Sequence, residues 1–372
     1  MKCESCKIAP PSIKQPSTGK KLCKKCFIRD FEENVHNLIV SDNIFPSKGE
    51  HVAIGVSGGK DSTVLLHVLH TLNERYSYGL NLHMVAVDEG ISGYRDESLD
   101  CVKYNQKKYS LPLVIVSFKD LFSSSLDSIV SRGGDVVRTQ SCTYCGILRR
   151  RALEEGTKRA GCSVIATGHN ADDVAETVLM NFMRGDVKRL ARCSNSRTGT
   201  SEVSRDEDDD DIEDGGCGKC PARKSEQQQK SVSLATIPRV KPFKTSYQKE
   251  IVLYAHFSGL KYFSTECPYA VTAFRGYARV ALQRIQRFRS PCVLDTIHGM
   301  DTIASAAAIT PDRAERGKKS KKKSMPSSVP CVFCGARCTN GVCQTCVIAE
   351  CVKRENYDVK AVRKQLEKEC IV

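Results

Sequence analysis

The sequence lacks any hydrophobic run long enough to cross a lipid bilayer. No apolar stretch in its 372 residues approaches the roughly 18 to 20 residues that a transmembrane helix needs. Residues 1–6 also lack the apolar core of a signal peptide. We therefore expect a cytoplasmic protein that is neither secreted nor bound in a membrane.

Acidic residues are outnumbered by basic ones. The chain has 57 Lys and Arg against 43 Asp and Glu, which gives a formal net charge of +14. This balance suits an anionic partner such as nucleic acid, although it indicates nothing about the fold.

The chain also has 20 cysteines. Without a signal peptide, these cysteines are expected to hold metals or do redox chemistry rather than to form a disulfide scaffold.

Between residues 51 and 255, short β-rich runs alternate with patterns typical of amphipathic helices. Such alternation indicates an α/β fold with a parallel sheet. Ligands of these sheets bind beyond the carboxyl ends of the strands, so the loops there are the candidate site. The predicted strands are 51–56, 82–87, 113–116, 163–166 and 237–243.

The first predicted strand ends in a glycine-rich turn, and a helix begins at once. Two glycines let the backbone turn tightly and approach a ligand, and a helix N-terminus presents N–H groups that suit a phosphate. The turn is not a Walker A loop, because Ile54 and Asp61 occupy positions that this motif gives to Gly and to Ser or Thr. Its residues are Ser57, Gly58, Gly59, Lys60, Asp61 and Ser62.

This turn resembles the PP-loop of the ATP pyrophosphatases, which have an adenine nucleotide alpha hydrolase-like fold. The resemblance implies that ATP is split between its α- and β-phosphates, that AMP goes to a carbonyl oxygen, and that the turn binds pyrophosphate. It implies catalytic roles for Lys60, Asp61 and Asp173. Val87 after the second strand and Gly168 after the fourth are expected to contact ATP, and Asp173 to order the nucleotide or its Mg²⁺.

Two sets of four cysteines lie towards the ends of the chain, each built from two CxxC pairs. Sixteen residues lie between the two pairs of the first set and eight between those of the second, which zinc ribbons and knuckles accept. Such short segments would draw their folding energy from the metal. We expect two structural Zn²⁺ ions, one on Cys3, Cys6, Cys23 and Cys26, and one on Cys331, Cys334, Cys343 and Cys346, with Cys338 left out.

A third group of cysteines, Cys142, Cys145 and the distant Cys267, is too small for tetrahedral zinc. Three thiolates can hold an iron–sulfur cluster and leave one iron without a protein ligand. The alternative is a pair of buried free cysteines with an unrelated third. These residues alone leave both interpretations open.

The complete pattern is similar to the TtcA/TtuA group of tRNA thiolases, whose TtuA branch carries a zinc module at each end. The likeness covers roughly residues 1–300 and the C-terminal module. It implies a 4Fe–4S cluster on Cys142, Cys145 and Cys267, with Arg149 near the ATP phosphates. The segments that carry it are YRDESLD, CTYCGILRRRALEEG, TGHNADDVAETVLMNFMRGD, QKEIVLYAHFSGLKYFSTECPYA and AFRGYAR.

The resemblance implies ATP-dependent 2-thiolation of the wobble uridine of cytosolic tRNAs. It also implies three partners: tRNA, a non-catalytic paralogous thiolation subunit, and a ubiquitin-related modifier thiocarboxylate as sulfur donor. One alternative is another PP-loop amidotransferase or ligase, which would need neither the middle cysteines nor two zinc modules. The other is a non-catalytic tRNA-binding subunit, against which the intact PP-loop counts.

The sequence predicts five parts: a zinc module at 1–30, a PP-loop domain at 35–300, a basic linker at 301–328, a zinc module at 329–350 and a tail at 351–372. Within the PP-loop domain, residues 194–236 are expected to be a disordered acidic insertion, because residues 205–214 carry eight acids and one base. Cys217 and Cys220 in this insertion depart from the family pattern and are taken either as incidental or as an occasional metal contact. The linker's bases suit either a simple tether or a phosphate-binding or nuclear-import segment. The lysines near the first zinc set suit either a tRNA-binding face or a solvated surface.

Overall fold

The computed structural model describes residues 2–193, 195–198, 237–265, 267–269, 274–309, 329–334, 337–338 and 341–369. Most of the expected acidic insertion, with Cys217 and Cys220, lies outside the described residues, as does most of the expected basic linker. Among the described helices, none combines the length and the apolar character that crossing a membrane requires.

The N-terminal module is a small hairpin that runs into a long helix. Strand β1 (Ile13–Lys14) pairs antiparallel with β2 (Lys21–Leu22), and helix α1 (Lys24–Ser41) follows. Cys26 lies in the first turn of α1, while Phe31, further along the same helix, is buried in the main core. The boundary expected between residues 30 and 35 is therefore absent, because one continuous helix serves both the module and the central domain.

Six strands of the described residues form the central sheet, in the order β5–β4–β3–β6–β8–β7. All of its pairings are parallel except that of β7 with β8. The predicted α/β fold with a mostly parallel sheet is confirmed. The connection after β3 leads to β4 on one side, and that after β6 leads to β7 and β8 on the other, so a crevice opens between the carboxyl ends of β3 and β6. The strands are β3 (His51–Gly55), β4 (Asn81–Asp88), β5 (Leu113–Ser117), β6 (Val164–Ala166), β7 (Arg197–Thr198) and β8 (Arg239–Val240).

The fifth predicted strand, 237–243, is only two residues long in the structure. Pro238 and Pro242 flank β8, and a proline has no N–H to donate to a neighbouring strand. The short edge strand β7 lies inside the segment expected to be disordered. Arg197 fixes it there by donating a hydrogen bond to the Ile44 carbonyl at 2.7 Å. Residues 197 and 198 thus belong to the sheet, and the expected start of the insertion at 194 is too early.

Helices cover both faces of the sheet, because alternate residues of each strand point to opposite faces. Val52 and Ile54 of β3 pack in the cluster that contains Leu65, whereas Ala53 packs with Leu153 on the other face. The last helix of this domain extends past residue 300 into the expected linker. The helices are α2 (Lys60–Tyr76), α3 (Arg95–Tyr109), α4 (Phe118–Phe122), α5 (Leu126–Arg132), α6 (Gly134–Thr139), α7 (Ser141–Arg159), α8 (Ala171–Met183), α9 (Val187–Cys193), α10 (Gln248–Phe257), α11 (Phe274–Phe288) and α12 (Cys292–Ile309).

The C-terminal module repeats the construction of the first one. Strands β9 (Val329–Pro330) and β10 (Arg337–Cys338) pair antiparallel, and helices α13 (Gln344–Lys353) and α14 (Val359–Glu369) follow. Val362 and Leu366 of α14 are buried against Cys351 of α13. Most of the segment expected to be a tail at 351–372 is therefore part of the module, because its apolar residues complete the module's core.

This module rests on the central domain through α13. Ile348 and Val352 share a buried cluster with Tyr144 and Leu148 of α7, the helix that carries the middle CxxC pair. Arg132 and Glu355 add an ion pair of 2.8 Å at the edge of the contact. The C-terminal module thus supports the helix on which two of the predicted cluster ligands lie.

Candidate active site and metal sites

The turn after β3 has the geometry of a phosphate-binding loop. Gly58 has a φ of +78°, a conformation that favours glycine. A Cβ at this position would lie 2.4 Å from the Ser98 carbonyl oxygen, so no larger residue fits without movement. Gly59 is the N-cap of α2 and has no side chain with which to satisfy the first N–H groups of the helix. Those groups are available to an anion.

Two serines brace this loop from within. The Ser57 and Ser62 hydroxyl oxygens lie 3.2 Å apart, and Ser62 Oγ donates to the Gly59 carbonyl at 3.0 Å. The backbone N–H of Ser57 in turn donates to Ser62 Oγ at 3.2 Å. Both predicted ATP donors therefore also order the loop that carries them.

Lys60 and Asp61 form an ion pair at the first turn of α2. Lys60 Nζ lies 3.0 Å from Asp61 Oδ2, and the two side chains are 27% and 28% exposed. Asp61 Oδ1 accepts a hydrogen bond from Asn170 Nδ2 at 3.1 Å. Gly168 lies so close that a Cβ there would be 3.0 Å from the Asp61 carbonyl carbon. The structure thus brings together the predicted residues that follow β3 and β6.

Asp173 lies three residues after the N-cap of α8, where its side chain completes a capping box with Asn170. The Asn170 N–H donates to Asp173 Oδ2 at 3.3 Å, and Arg275 Nη1 lies 3.9 Å from Oδ1. The predicted catalytic carboxylate is therefore at the edge of the site. Its observed partners are a helix end and an arginine that sequence reasoning did not single out.

The end of β4 contributes a buried acid that sequence reasoning missed as a site residue. Val87, the predicted ATP contact, is buried in the core, so a nucleotide contact would have to come from its backbone. Glu89, two residues later, places Oε1 at 2.7 Å from Arg149 Nε and Oε2 at 3.4 Å from Arg95 Nε. The charge of Glu89 raises the pKa of Arg149. The position of this acid, directly after an apolar strand, was the sequence signal that could have identified it as a site residue.

The middle cysteines come together around the first turn of α7. Cys142 is exposed and Cys145 is buried, and burial raises the pKa of the Cys145 thiol to about 11. Cys142 Sγ donates a hydrogen bond to the Tyr269 carbonyl at 3.3 Å, which brings the segment of Cys267 against α7. After burial, negative charge at Cys267 is the strongest influence that raises the pKa of Cys142.

The three thiols are more widely spread than the terminal quartets. Among the described residues, the sulfurs that all lie within 4.8 Å of one another are those of the two terminal sets. Ligands on different irons of a cluster stand farther apart than ligands of one metal ion. An open triad with one exposed thiol therefore fits a cluster better than a single ion.

One stretch of chain links the phosphate loop to the cysteine helix. The Phe263 N–H donates to the Gly58 carbonyl at 2.8 Å, and the Phe263 ring lies 5.4 Å from that of Tyr94. Six residues later, the Tyr269 carbonyl accepts the hydrogen bond from Cys142. Cys267 lies between these two anchors, so the phosphate loop and the thiols share one site.

The terminal quartets are compact and similarly built, and they fit metal binding. The first CxxC precedes the hairpin in the N-terminal set and lies between the hairpin strands in the C-terminal set, and in both sets the second CxxC is at the start of a helix. Cys6 Sγ and Cys23 Sγ lie 3.9 Å apart, and Cys334 Sγ and Cys343 Sγ lie 3.6 Å apart. Cys338 stands outside the C-terminal set, as the spacing predicted.

Comparison with known proteins agrees with this geometry. Residues 28–284 match the family of PP-loop domains. The cytoplasmic tRNA 2-thiolation protein 1 of Malassezia globosa is 44% identical over 353 residues, which cover 95% of this chain and 87% of that protein. The protein of the same name from Saccharomyces cerevisiae is 43% identical over 357 residues, which cover 96% and 88%.

The fold is also that of a solved thiolase. The U34-tRNA thiolase NcsA from Methanococcus maripaludis, determined with its 4Fe–4S cluster, superposes with a TM-score of 0.68 at 26% identity. The match covers 94% of this chain and 96% of NcsA. From its PP-loop domain and the identity along nearly its whole length, the chain belongs to the cytoplasmic tRNA 2-thiolation protein 1 family of PP-loop proteins.

Proposed function

We propose that this chain is a tRNA sulfurtransferase that uses ATP to replace the C2 oxygen of the wobble uridine with sulfur in the cytoplasm. The observation that carries the proposal is the link between the two halves of the site, from Gly58 through Phe263 and Tyr269 to Cys142. A PP-loop enzyme that uses ammonia would need no such connection. The names of the relatives and of NcsA agree with the reaction.

The first half of the reaction activates the base. ATP binds with its β- and γ-phosphates at the N-terminus of α2, and the uracil C2 oxygen attacks the α-phosphorus. The bond to pyrophosphate breaks and an adenylated uracil forms. Lys60 leaves its pair with Asp61 to neutralise the phosphates, and Arg149 supplies further positive charge. Asp61 and Asp173 are the proposed carboxylates for Mg²⁺, which prefers oxygen ligands.

The second half exchanges oxygen for sulfur. A sulfur nucleophile attacks C2, and the C–O bond breaks so that AMP leaves with the electron pair. Cys142, Cys145 and Cys267 would hold a 4Fe–4S cluster, which supplies a binding place for activated sulfur on its fourth iron. The chain's own contribution is to keep Cys142 beside the segment of Cys267, where its thiol contacts the Tyr269 carbonyl until ligation removes the proton, and to exclude water around Cys145.

The terminal quartets are proposed as structural zinc sites. A tetrahedral ion with Zn–S bonds of about 2.3 Å places its sulfurs about 3.8 Å apart. The observed separations of 3.9 Å and 3.6 Å are close to that value. Bound zinc would then stabilise each hairpin and the start of the helix that follows it.

Two protein partners complete the proposal. A ubiquitin-related modifier that ends in a thiocarboxylate would bring the sulfur, and a non-catalytic paralogous subunit would assemble with this chain. Both are implied by the family resemblance. Exposed Cys142 is the thiol that a bulky donor could approach most directly.

The test is a reconstituted reaction. Anaerobically purified protein is incubated with ATP, Mg²⁺, sulfide and a tRNA transcript that carries unmodified U34. We expect tRNA-dependent release of pyrophosphate and formation of 2-thiouridine, read by nucleoside mass spectrometry. Pyrophosphate release that needs ammonia and no tRNA would identify an amidotransferase or ligase instead. Tight tRNA binding without any pyrophosphate release would identify a non-catalytic subunit.

A further inference from the structure

Helix α11 turns most of its large apolar side chains towards solvent. Of its 15 residues, Ala278 and Leu282 are the buried ones. Phe274 is 45% exposed, Tyr277 is 74% exposed and Phe288 is 94% exposed. These three residues recur at helical spacing and therefore lie along one side of the helix. This face has no covering element among the described residues.

The same helix is rich in arginine and contains no acid. Four arginines stand between residues 274 and 288, with neither Asp nor Glu among them. Arg275 and Arg279 point inwards, where they meet the buried carboxylate of Glu176 at 3.3 Å and 2.8 Å. Arg284 and Arg287 lie on the exposed part of the helix. The outward face thus combines aromatic rings with positive charge.

The end of α8 and the start of α9 extend this face. Phe182 is 72% exposed, Met183 is 61% exposed and Val187 is 74% exposed. The Arg184 guanidinium lies 5.7 Å from the centre of the Phe274 ring, so the two helices meet here through a cation–π contact. The patch is defined as Phe182, Arg184, Phe274, Tyr277, Arg284 and Phe288.

We infer that this patch binds the anticodon arm of tRNA, an inference that rests on the proposed function. An apolar face alone would suit a protein partner, but a run of arginines without acids suits a polyanion. Aromatic rings and guanidinium planes are the groups on which unpaired RNA bases stack. An anticodon loop offers both the unpaired bases and the phosphates.

The patch also adjoins the site at which the wobble base must react. Arg275 of α11 donates a hydrogen bond to the Asp173 carbonyl at 3.3 Å, in the first turn of α8. That turn is tied to the PP-loop by the hydrogen bond from Asn170 to Asp61. A tRNA whose anticodon loop enters the crevice would therefore pass over α11. The proposed tRNA contact therefore lies on α11 rather than on the lysines near the N-terminal metal set.

The test compares two kinds of patch variant with a matched control. The double variant Phe182→Ala and Tyr277→Ala removes stacking surface without changing charge, and both side chains are mostly solvent-exposed, so folding should be preserved. The double variant Arg184→Gln and Arg284→Gln removes charge. The control, Tyr104→Ala with Lys107→Gln on α3, makes similar changes at exposed positions on another helix. The probe is a U34-containing tRNA transcript, titrated over a salt series.

We expect the aromatic variant to bind the transcript about tenfold more weakly or worse, since two rings on which unpaired bases could stack are lost. The arginine variant should lower the slope of log affinity against log salt by about 1.5, because each lost phosphate contact removes about 0.7 to 0.9. The control should bind like the unsubstituted protein, and ATP binding should be unchanged in all variants.

Two results would overturn the inference while leaving the proposed function intact. The first is unchanged tRNA affinity in both patch variants. The second is a change of oligomeric state in size-exclusion chromatography without loss of tRNA affinity, which would make the patch a protein interface. If the unsubstituted protein itself failed to bind the transcript, the proposed function would fail as well.

Discussion

The Glu89 carboxylate lies 2.7 Å from Arg149 and 3.4 Å from Arg95, and so holds two guanidinium groups at the end of β4. Glu89 and Arg95 are almost fully buried, whereas Arg149 is 48% exposed. This acid therefore connects the cysteine helix α7 with the start of α3, which packs against the PP-loop at Gly58.

Replacing Glu89 and replacing Arg149 should have different effects on stability and activity. Glu89→Gln removes the nearer carboxylate beside the buried Arg95, leaves it with Asp88 at 3.9 Å, and should lower the free energy of unfolding by about 3 kcal/mol. Arg149→Gln should cost about 1 kcal/mol or less, because its guanidinium is half in water, but it should slow pyrophosphate release. Denaturant unfolding and the pyrophosphate assay measure the two effects. Equal destabilisation by both substitutions would contradict this account.

The PP-loop backbone should reject a side chain at Gly58. Gly58→Ala places a Cβ 2.4 Å from the Ser98 carbonyl oxygen in addition to the cost of a φ of +78°. Gly49→Ala is the matched control, since its φ is +79° and nothing lies within 4 Å of the new Cβ. We expect Gly49→Ala to lose about 1 kcal/mol of stability through its backbone conformation alone. Gly58→Ala should lose more because of the added clash, and it alone should lose ATP binding in calorimetry. Similar ATP binding by both variants would count against the assigned loop geometry.

Lys60 and Asp61 should be needed for chemistry and not for folding. Both side chains are partly exposed and lie outside the buried core. Lys60→Ala and Asp61→Ala should each reduce tRNA-dependent pyrophosphate release by about 10² or more, the usual cost of losing one charge-stabilising group. Thermal unfolding should stay close to that of the unsubstituted protein, as should that of the control Lys103→Ala. Near-normal turnover in either active-site variant would contradict the role of this turn as the PP-loop.

Variants of the middle cysteines should separate thiolation from adenylation. Replacing Cys142, Cys145 or Cys267 with Ser should abolish iron binding and thiolation together, while adenylation persists on the separate phosphate loop. Zinc content should remain near two per chain, because eight other thiols form the terminal quartets. Iron, sulfide and zinc analysis with an activity assay of each variant tests this. Full thiolation by iron-free protein would contradict the proposed cluster and favour a cysteine persulfide as the sulfur carrier.

The N-terminal module should respond to pH through Glu250. Burial raises the pKa of this carboxyl above its ordinary value of 4.5, although Ser17 donates two hydrogen bonds to it. A raised pKa in the folded state means that its stabilising contribution is complete below about 4.5 and is lost as pH rises through the folded value. Glu250→Gln should therefore gain stability relative to the unsubstituted protein as pH rises above about 4.5, until Glu250 is fully ionised in the folded state. A stability difference that does not change as pH rises from below 4.5 would contradict the raised pKa.

Sequence reasoning found the elements whose signal is local. The apolar runs that became β3 to β6, the glycine turn and both CxxC quartets could be read from adjacent residues. It missed α14, although Val359, Val362 and Leu366 recur at helical spacing, because a short polar C-terminal stretch was taken for a tail. It also missed the pairing of Glu89 with Arg149, since no local pattern joins residues sixty positions apart.

The strand pair β7 and β8 has a consequence for how the family can vary. Thr198 lies opposite Arg239 in the antiparallel register, so the chain leaves the sheet and returns to it at neighbouring positions. The entropy of closing a loop grows only with the logarithm of its length, about 0.6 kcal/mol for each doubling. This edge of the sheet is therefore a place where evolution can add or remove dozens of residues, or an experimenter can insert a reporter domain, without disturbing the catalytic crevice.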